Sequence, residues 1–513
     1  MRDGGTLALR NAQAGQLSRV PVMGIDDLGA LVVDSVRAGA AISALFASPA
    51  AALRAGRADG RFFLTVVLQH PERGSLRLAR AEVGSSYPSM TPDCPSVHLF
   101  EREIAEQWNL RPEGHPWLKP VRFHEALPGA APGGRASAPG PRCGDAAFFK
   151  FEGEEVHEVA VGPVHAGVIE PGHFRFQCHG ETVLHLEISL GYQHRGVEAS
   201  LSAGPDNRSV HFAETLAGDT SVGHAVAFCQ AWEALAGCAV PARALAIRAI
   251  ALELERAANH VGDLGALAGD VGFLPTASWC GRIRGDILNM TALMCGSRFG
   301  RGLARPGGVG FDLDERLADQ LREQLREAVR DARAACGLLW TAPSVGARFE
   351  GTGSLAAATA REIGLVGPAA RACGIERDVR RDLPTGLYRF THIPVSTWPT
   401  GDVLARAQVR WLEIQRSFAF IEEQLRALPA GELRAPVARL APGRIVASLV
   451  EGWRGEICHV AASEQGGRFA LYKVVDPSFH NWFGLALAMR AGQVSDFPLC
   501  NKSFNLSYCG HDL

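Results

Sequence analysis

From residue 126 to residue 144 the chain reads ALPGAAPGGRASAPGPRCG, and nine of these nineteen residues are Pro or Gly. Proline lacks the amide hydrogen that helices and sheets need, and glycine loses the most backbone entropy on ordering. No regular element forms in such a stretch, so residues 126–145 read as a semi-extended linker. The fold must then be built as two bodies, residues 1–125 and residues 146–513. At 513 residues there is ample chain for both to bury a core. No internal repeat with a period of about 20–50 residues interrupts this division.

Before the linker, RFFLTVVL at 61–68 is a β-branched and aromatic run, and 74–83 alternates through Leu76 and Leu78. The pair predicts a hairpin with its turn near 71–74. A charged helix over 99–108 then runs into EGHPW at 113–117. After the linker, 155–163 and 174–190 read as strands. Long helices follow. Residues 242–268 place Ile247, Ala251, Leu254, Ala258, Val261 and Leu264 at helical spacing. Residues 312–340 carry Glu/Arg pairs at helical spacing, and 402–428 begins at Asp402, a good N-cap after Pro399-Thr-Gly. Strand-like runs return at 444–449 and 469–475. The expected fold class is α+β: a small α/β N-terminal domain linked to a large helix-bundle domain with flanking β-sheets.

Charge is balanced, 52 Lys+Arg against 54 Asp+Glu, which argues against nucleic-acid or anionic-membrane binding. Only Lys119, Lys150, Lys473 and Lys502 are lysines; the other 48 basic residues are arginines. The uncharged stretch between Arg37 and Arg54 is 16 residues, Ala-rich and broken by Pro49, where a spanning helix needs about 20 strongly apolar residues. The first residues have no apolar run after their charges, so no secretory signal is expected. Twelve cysteines occur without one Cys-x-x-Cys pair, which reads as reduced thiols and excludes zinc-ribbon and ferredoxin signatures.

Polar residues gather in a few places. GPVHAGVIEPGH at 162–173 sets His165, Glu170 and His173 on a Gly/Pro-rich loop. Such loops host function, although a hairpin turn with polar tips reads the same way. In YQHRGVE (192–198), Arg195 and Glu198 stand three apart, which on a helix makes a surface ion pair of little worth. In EGWRGEICH (451–459), Arg454 lies between Gly452 and Gly455, where a guanidinium can project into a cavity. Asp476-Pro477 and then FHNW (479–482) follow.

In order, these motifs resemble the large subunit of membrane-bound (group 4, formate-hydrogenlyase-type) nickel–iron hydrogenases and its relative, the quinone-site (D-type) subunit of respiratory complex I. The resemblance runs through GPVHAGVIEPGHF (162–174), YQHRGVE, ELERAANHVGDLGALAGDVGF (253–273), SRFGRGLARPGG (297–308), DLPTGLY (382–388), EGWRGEICH and YKVVDPSFHNW (472–482). The first body resembles the C-type subunit of complex I in YPSMTP (87–92), ERE (101–103) and EGHP (113–116).

The departures matter as much. Such hydrogenases hold nickel and iron with four cysteinates, in a Cys-Gly-x-Cys and an Asp-Pro-Cys-x-x-Cys element, because such a pair demands soft thiolates. Here the elements match ETLAGDTSVGH (214–224) and NLSYCGHD (505–512), which puts Ala217, Thr220, Ser507 and Gly510 at the ligand positions. The chain stops at His511-Asp-Leu513, about where a processed subunit would end. In the quinone-site subunit of complex I, a His matching His165 and a Tyr bind quinone. Gly218 is the best match to that Tyr, while Glu170-Pro-Gly-His-Phe follows the hydrogenase branch. The resemblance carries over as groups around the former metal site His165, Glu170, Arg195, Glu198, Glu214, His224, Arg454, Glu456, His459 and Asp476. Without metal, their carboxylates are expected to pair with Arg454 or Arg195, or to take raised pKa values and bind protons.

The implied protein is an oxidoreductase subunit in the peripheral arm of a membrane complex, on the cytoplasmic face of the inner membrane. It would couple electron transfer to proton or ion movement. No bound cofactor is expected on this chain, nickel–iron included, and His165 is the candidate quinone contact. The implied partners are an iron–sulfur small subunit and antiporter-like membrane subunits. Two alternatives stay open: a hydrogenase with an unorthodox ligand set (Asp219, Cys509, His511), and a scaffold without chemistry. No Gly-x-Gly-x-x-Gly nicotinamide fingerprint follows a strand.

Overall fold

The structure, a computed structural model, describes residues 5–50, 60–127, 130, 147–165 and 169–513. Of the Pro/Gly-rich stretch, only Ala126, Leu127 and Ala130 lie inside the described residues. The chain begins with β1 (Leu7–Leu9), β2 (Gly15–Gln16), β3 (Val22–Met23), α1 (Ile25–Arg37), β4 (Ala41–Pro49), β5 (Phe62–His70), β6 (Ser75–Val83) and α2 (His98–Trp108). The expected hairpin forms: β5 and β6 run antiparallel around Gly74, which takes φ +55°. The sheet order is β1-β6-β5-β4, with β3 added parallel to β6.

A second antiparallel sheet contains β7 (Val156–Val161), β8 (His173–His179) and β9 (Thr182–Ser189), in the order β9-β8-β7. The run expected as one strand over 174–190 thus folds back on itself. Gly180 at φ +55° makes the turn, a conformation that residues with a Cβ rarely adopt.

The helical body contains α3 (Val197–Ser202), α4 (Ser209–Glu214), α5 (Ser221–Ala236), α6 (Ala242–Asp270), α7 (Leu274–Cys295), α8 (Glu315–Thr341) and α9 (Val403–Arg426). Asp402 caps α9 as expected, accepting from Ala405 N at 2.8 Å, and Asp314 caps α8 in the same way. α5 is buried on nearly every side, so it offers no amphipathic period to read.

The last sheet contains β10 (Arg444–Gly452), β11 (Gly455–Ser463) and β12 (Phe469–Val475), in the order β12-β11-β10-β2. Every residue of β11 is buried. Ile457 and Ala461 pack into the helical core, while Cys458, Val460 and Ala462 pack with the first sheet, as the alternation of a strand requires. This sheet is therefore the middle layer, which explains the continuous apolar runs in its strands. α10 (Pro477–Ala488), α11 (Phe497–Phe504) and α12 (Tyr508–Asp512) close the chain, packing on the second sheet through contacts such as Trp482 and Tyr508 with Phe174. The architecture is mixed α/β, and among the described residues no helix is long and apolar enough to cross a membrane.

Candidate functional site

Arg454 sits at the tip of the β10–β11 hairpin, where Gly452 pairs with Gly455. Gly455 takes φ +133°, and a Cβ there would lie 2.8 Å from the Gly367 nitrogen, so the tip needs glycine to pack. The turn delivers the guanidinium to Asp219 as a two-pronged ion pair, Nη1–Oδ1 at 2.5 Å and Nη2–Oδ2 at 2.8 Å. Its Nε donates to the Asn505 carbonyl at 2.5 Å, and Cζ lies 3.8 Å from the Trp453 ring centre. Trp453 Nε1 donates to the Asp219 carbonyl and to Thr220 Oγ1, each at 3.1 Å. Burial disfavours charge on Asp219, but the Arg454 guanidinium outweighs this and holds its carboxyl below the usual range.

A second cluster lies deeper. Asp476 caps α10 through Ser478 N at 2.7 Å and meets His224 Nε2 at 3.0 Å. His224 Nδ1 meets His459 Nε2 at 3.1 Å, and His459 Nδ1 meets Tyr472 Oη at 2.8 Å. Burial, and then His224 beside it, push His459 well below the usual imidazole range. Burial opposes charge on Asp476, yet its bond to His224 holds it below the usual range. The C-terminal turn packs on this carboxylate. Ser507 Oγ accepts from Gly510 N at 2.9 Å, and a Cβ at Gly510 would fall 2.6 Å from Asp476 Cγ.

Both expected elements, 214–224 and 505–512, are thus brought together. Arg195 fastens them, donating to the carbonyls of Thr215 at 2.6 Å, Leu216 at 3.1 Å and Cys509 at 3.1 Å. Glu170 receives the N–H groups of Tyr508 and Cys509 at 3.3 and 3.2 Å. Neither ring nitrogen of His165 has a hydrogen-bond partner among the described residues.

Three expected members go elsewhere. Arg195 and Glu198 form no ion pair, because Gly196 at φ +66° breaks the backbone before α3 begins at Val197. Glu198 instead accepts from Lys473 Nζ at 2.9 Å, Val474 N at 2.8 Å and Gln107 Nε2 at 3.3 Å, tying α3 to α2. Glu214 accepts from Gly302 N at 2.6 Å and meets His211 at 2.9 Å. Glu456 accepts from Arg377 Nη2 at 2.6 Å.

Of the two courses expected for the carboxylates, Asp219 takes the first, pairing with Arg454, while Asp476 pairs with His224 instead; both are held below the usual range. A carboxyl with a raised pKa lies nearby, outside the expected set. Glu255 on α6 accepts from Val222 N at 2.8 Å and Gly223 N at 3.1 Å, and forms no ion pair among the described residues. Burial pushes it up to about 8, against those two donors and with help from Asp219.

Sequence reasoning also missed a buried ionic network behind the Arg454 hairpin. Glu413 meets Arg371 Nη2 at 2.8 Å, His260 Nε2 at 2.9 Å and Arg256 Nη1 at 3.4 Å. Arg371 Nη1 donates to Glu451 at 2.8 Å, and Arg380 meets Asp378 at 2.6 Å and Glu253 at 3.1 Å. The signal was present in α6, whose Glu253, Glu255, Arg256, His260 and Asp263 interrupt an otherwise Ala/Leu-rich segment.

The residues at the ligand positions do not fit a nickel–iron pair. Ala217 and Gly510 offer no donor, and Thr220 and Ser507 offer hydroxyls, not the soft thiolates such a pair requires. The Thr220 hydroxyl already binds Trp453, Arg454 and Asp219, and the Asp476 carboxylate fills the space beside Gly510. Burial and Glu170 push the neighbouring Cys509 thiol up to about 11. Among the described residues, Asp219, Cys509 and His511 are not grouped as a metal site would need.

Residues 270–444 match the family profile described as the respiratory-chain NADH dehydrogenase 49 Kd subunit. The chain is 32% identical to the carbon monoxide-induced hydrogenase of Rhodospirillum rubrum over 68% of its own length and 97% of that protein. It is 29% identical to formate hydrogenlyase subunit 5 of Escherichia coli, covering 84% of the chain and 78% of the relative. With a D-type NADH-quinone oxidoreductase subunit of Chloroherpeton thalassium the identity is 30%, over 67% of the chain and 84% of the relative. With these likenesses added to the shared order of motifs, the chain belongs to the oxidoreductase family that joins the large subunits of membrane-bound hydrogenases to the 49 Kd (D-type) subunits of complex I.

Proposed function

We propose that the chain is the large subunit in the peripheral arm of a complex I-like, hydrogenase-related membrane assembly, and that it couples electron transfer to proton or ion translocation without a nickel–iron centre. The observation that carries this reading is Arg454, paired with Asp219 of the first element and bonded to the Asn505 carbonyl of the second, where the family's metal chemistry resides. Glu255 supports the coupling role, since a buried carboxyl pushed up to about 8 takes and releases a proton near neutral pH. His165 is the proposed quinone contact, its ring nitrogens being free of protein partners among the described residues. Residues 1–125 act as the C-type unit, residues 126–145 as the linker and residues 146–513 as the D-type unit. An iron–sulfur small subunit would dock over the Arg454 face, and antiporter-like subunits would supply the membrane arm, on the cytoplasmic side.

The test uses the assembly purified with its co-expressed partners. Arg454→Met and His165→Ala are each expected to lower quinone reduction and coupled proton translocation at least about tenfold, the loss of one charge-assisted contact. Unchanged rates in both variants, with the complex intact, would favour a scaffold.

A further inference from the structure

Between α2, β9 and α10 lies a slot of about 50 Å³, away from the Arg454 pair. By the same measure a water needs about 10–15 Å³, so the slot admits a group the size of a carboxylate. His98 and Arg102 both line it, four residues apart on one face of α2 and each more than nine-tenths buried. Arg102 donates through Nε to the Lys119 carbonyl at 2.8 Å and through Nη2 to the Pro120 carbonyl at 2.7 Å. Its guanidinium lies 4.8 Å from the Trp117 ring centre. Among the described residues no carboxylate contacts Arg102, and its Nη1 makes no hydrogen bond.

The nearby acids are committed elsewhere. Glu106 accepts from the N–H groups of Val121, Arg122 and Phe123, and Glu187 from Lys119 Nζ and Phe149 N. Burial makes the Arg102 guanidinium costly; Glu106 and Glu187 act on it without contact, and its stacking on Trp117 recovers part of that cost. No hydrogen bond among the described residues engages the His98 ring nitrogens; its carbonyl meets His115 Nε2, and its ring centre lies 4.7 Å from that of Phe483. Burial, with Arg102 beside it, pushes His98 down to about 3, so at neutral pH the ring is uncharged and offers one N–H. Half-buried Trp117 and Phe483, their ring centres 6.0 Å apart, form apolar walls toward solvent.

We propose that this slot binds a short free carboxylate with a flat apolar body, the carboxylate taking Arg102 Nη1 and the His98 N–H and the body lying against Trp117 and Phe483. The probe is benzoate, followed by saturation-transfer NMR on the full-length chain, with benzamide as its uncharged isostere. Benzoate is expected to bind at least about tenfold more tightly than benzamide, and Arg102→Met and His98→Phe are each expected to weaken it at least about tenfold, as for charge-assisted hydrogen bonds. Arg102→Met also removes the strut to Lys119 and Pro120; if it fails to fold, His98→Phe carries the test, because it leaves that strut in place. No transfer to benzoate, equal binding of benzamide, or full affinity in folded His98→Phe would each overturn the proposal.

Discussion

Replacing Glu413 by Gln is expected to destabilise the protein by about 3–5 kcal/mol, the usual cost of breaking a buried ion pair from one side. Glu413 is 1% exposed and answers Arg371, Arg256 and His260 at once. Burial alone would raise its pKa, but Arg371, His260 and Arg256 together hold it well below the usual carboxylate range. The neutral amide leaves two buried guanidinium groups competing for the remaining acids. Their loss propagates to β10 and the Arg454 hairpin, because Arg256 also donates to the carbonyls of Glu451 at 2.6 Å and Gly452 at 3.0 Å. Urea denaturation followed by tryptophan fluorescence reads the change. Glu423→Gln, on the exposed face of the same helix, is the control and should stay within about 0.5 kcal/mol. Equal midpoints for the two variants would mean that the network contributes nothing to the fold.

Glu255→Gln is expected to change the pH dependence of stability more than its level. The folded protein holds a proton on Glu255 up to about pH 8, whereas the unfolded chain releases it near the ordinary value of 4.5. Unfolding therefore releases a proton in that window, and Glu255 makes stability fall as pH rises from about 4.5 to about 8. The slope is up to about 1.4 kcal/mol per pH unit. Glutamine cannot titrate, so the variant gains on the wild type across that interval, and the difference levels off above pH 8. Urea midpoints of both proteins from pH 5 to pH 9 measure it. A difference independent of pH would show that Glu255 is ionised in the fold, and the proton-coupling role would lose its support.

Much of the architecture was legible because periodicity reports burial. The β5–β6 hairpin, α6, α8 and the Asp402-capped α9 follow from apolar spacing and capping residues alone. The turn at Gly180 and the strand β11 were not, since a single glycine decided the first and EGWRGEICH reads as a loop when its hairpin partner is unknown. In the site, the meeting of 214–220 with 505–512 was implied by the family resemblance, which makes both segments part of one site. The choice of partners did not: one left-handed residue, Gly196, separates Arg195 from Glu198, and Glu198 finds Lys473 some 275 residues away. The buried network escaped for a related reason, because charges on an amphipathic helix read as a solvated face until a second layer is known to cover it.

The proposed coupling works through Arg454, paired with Asp219 and bonded to the Asn505 carbonyl, and without a nickel–iron centre. Elemental analysis of the complex purified with its co-expressed partners, combined with hydrogen-dependent dye reduction, tests it most directly. The expected result is nickel far below one atom per large subunit, iron accounted for by the partner's clusters, and no hydrogen-dependent dye reduction. One nickel per large subunit together with hydrogen uptake would contradict it.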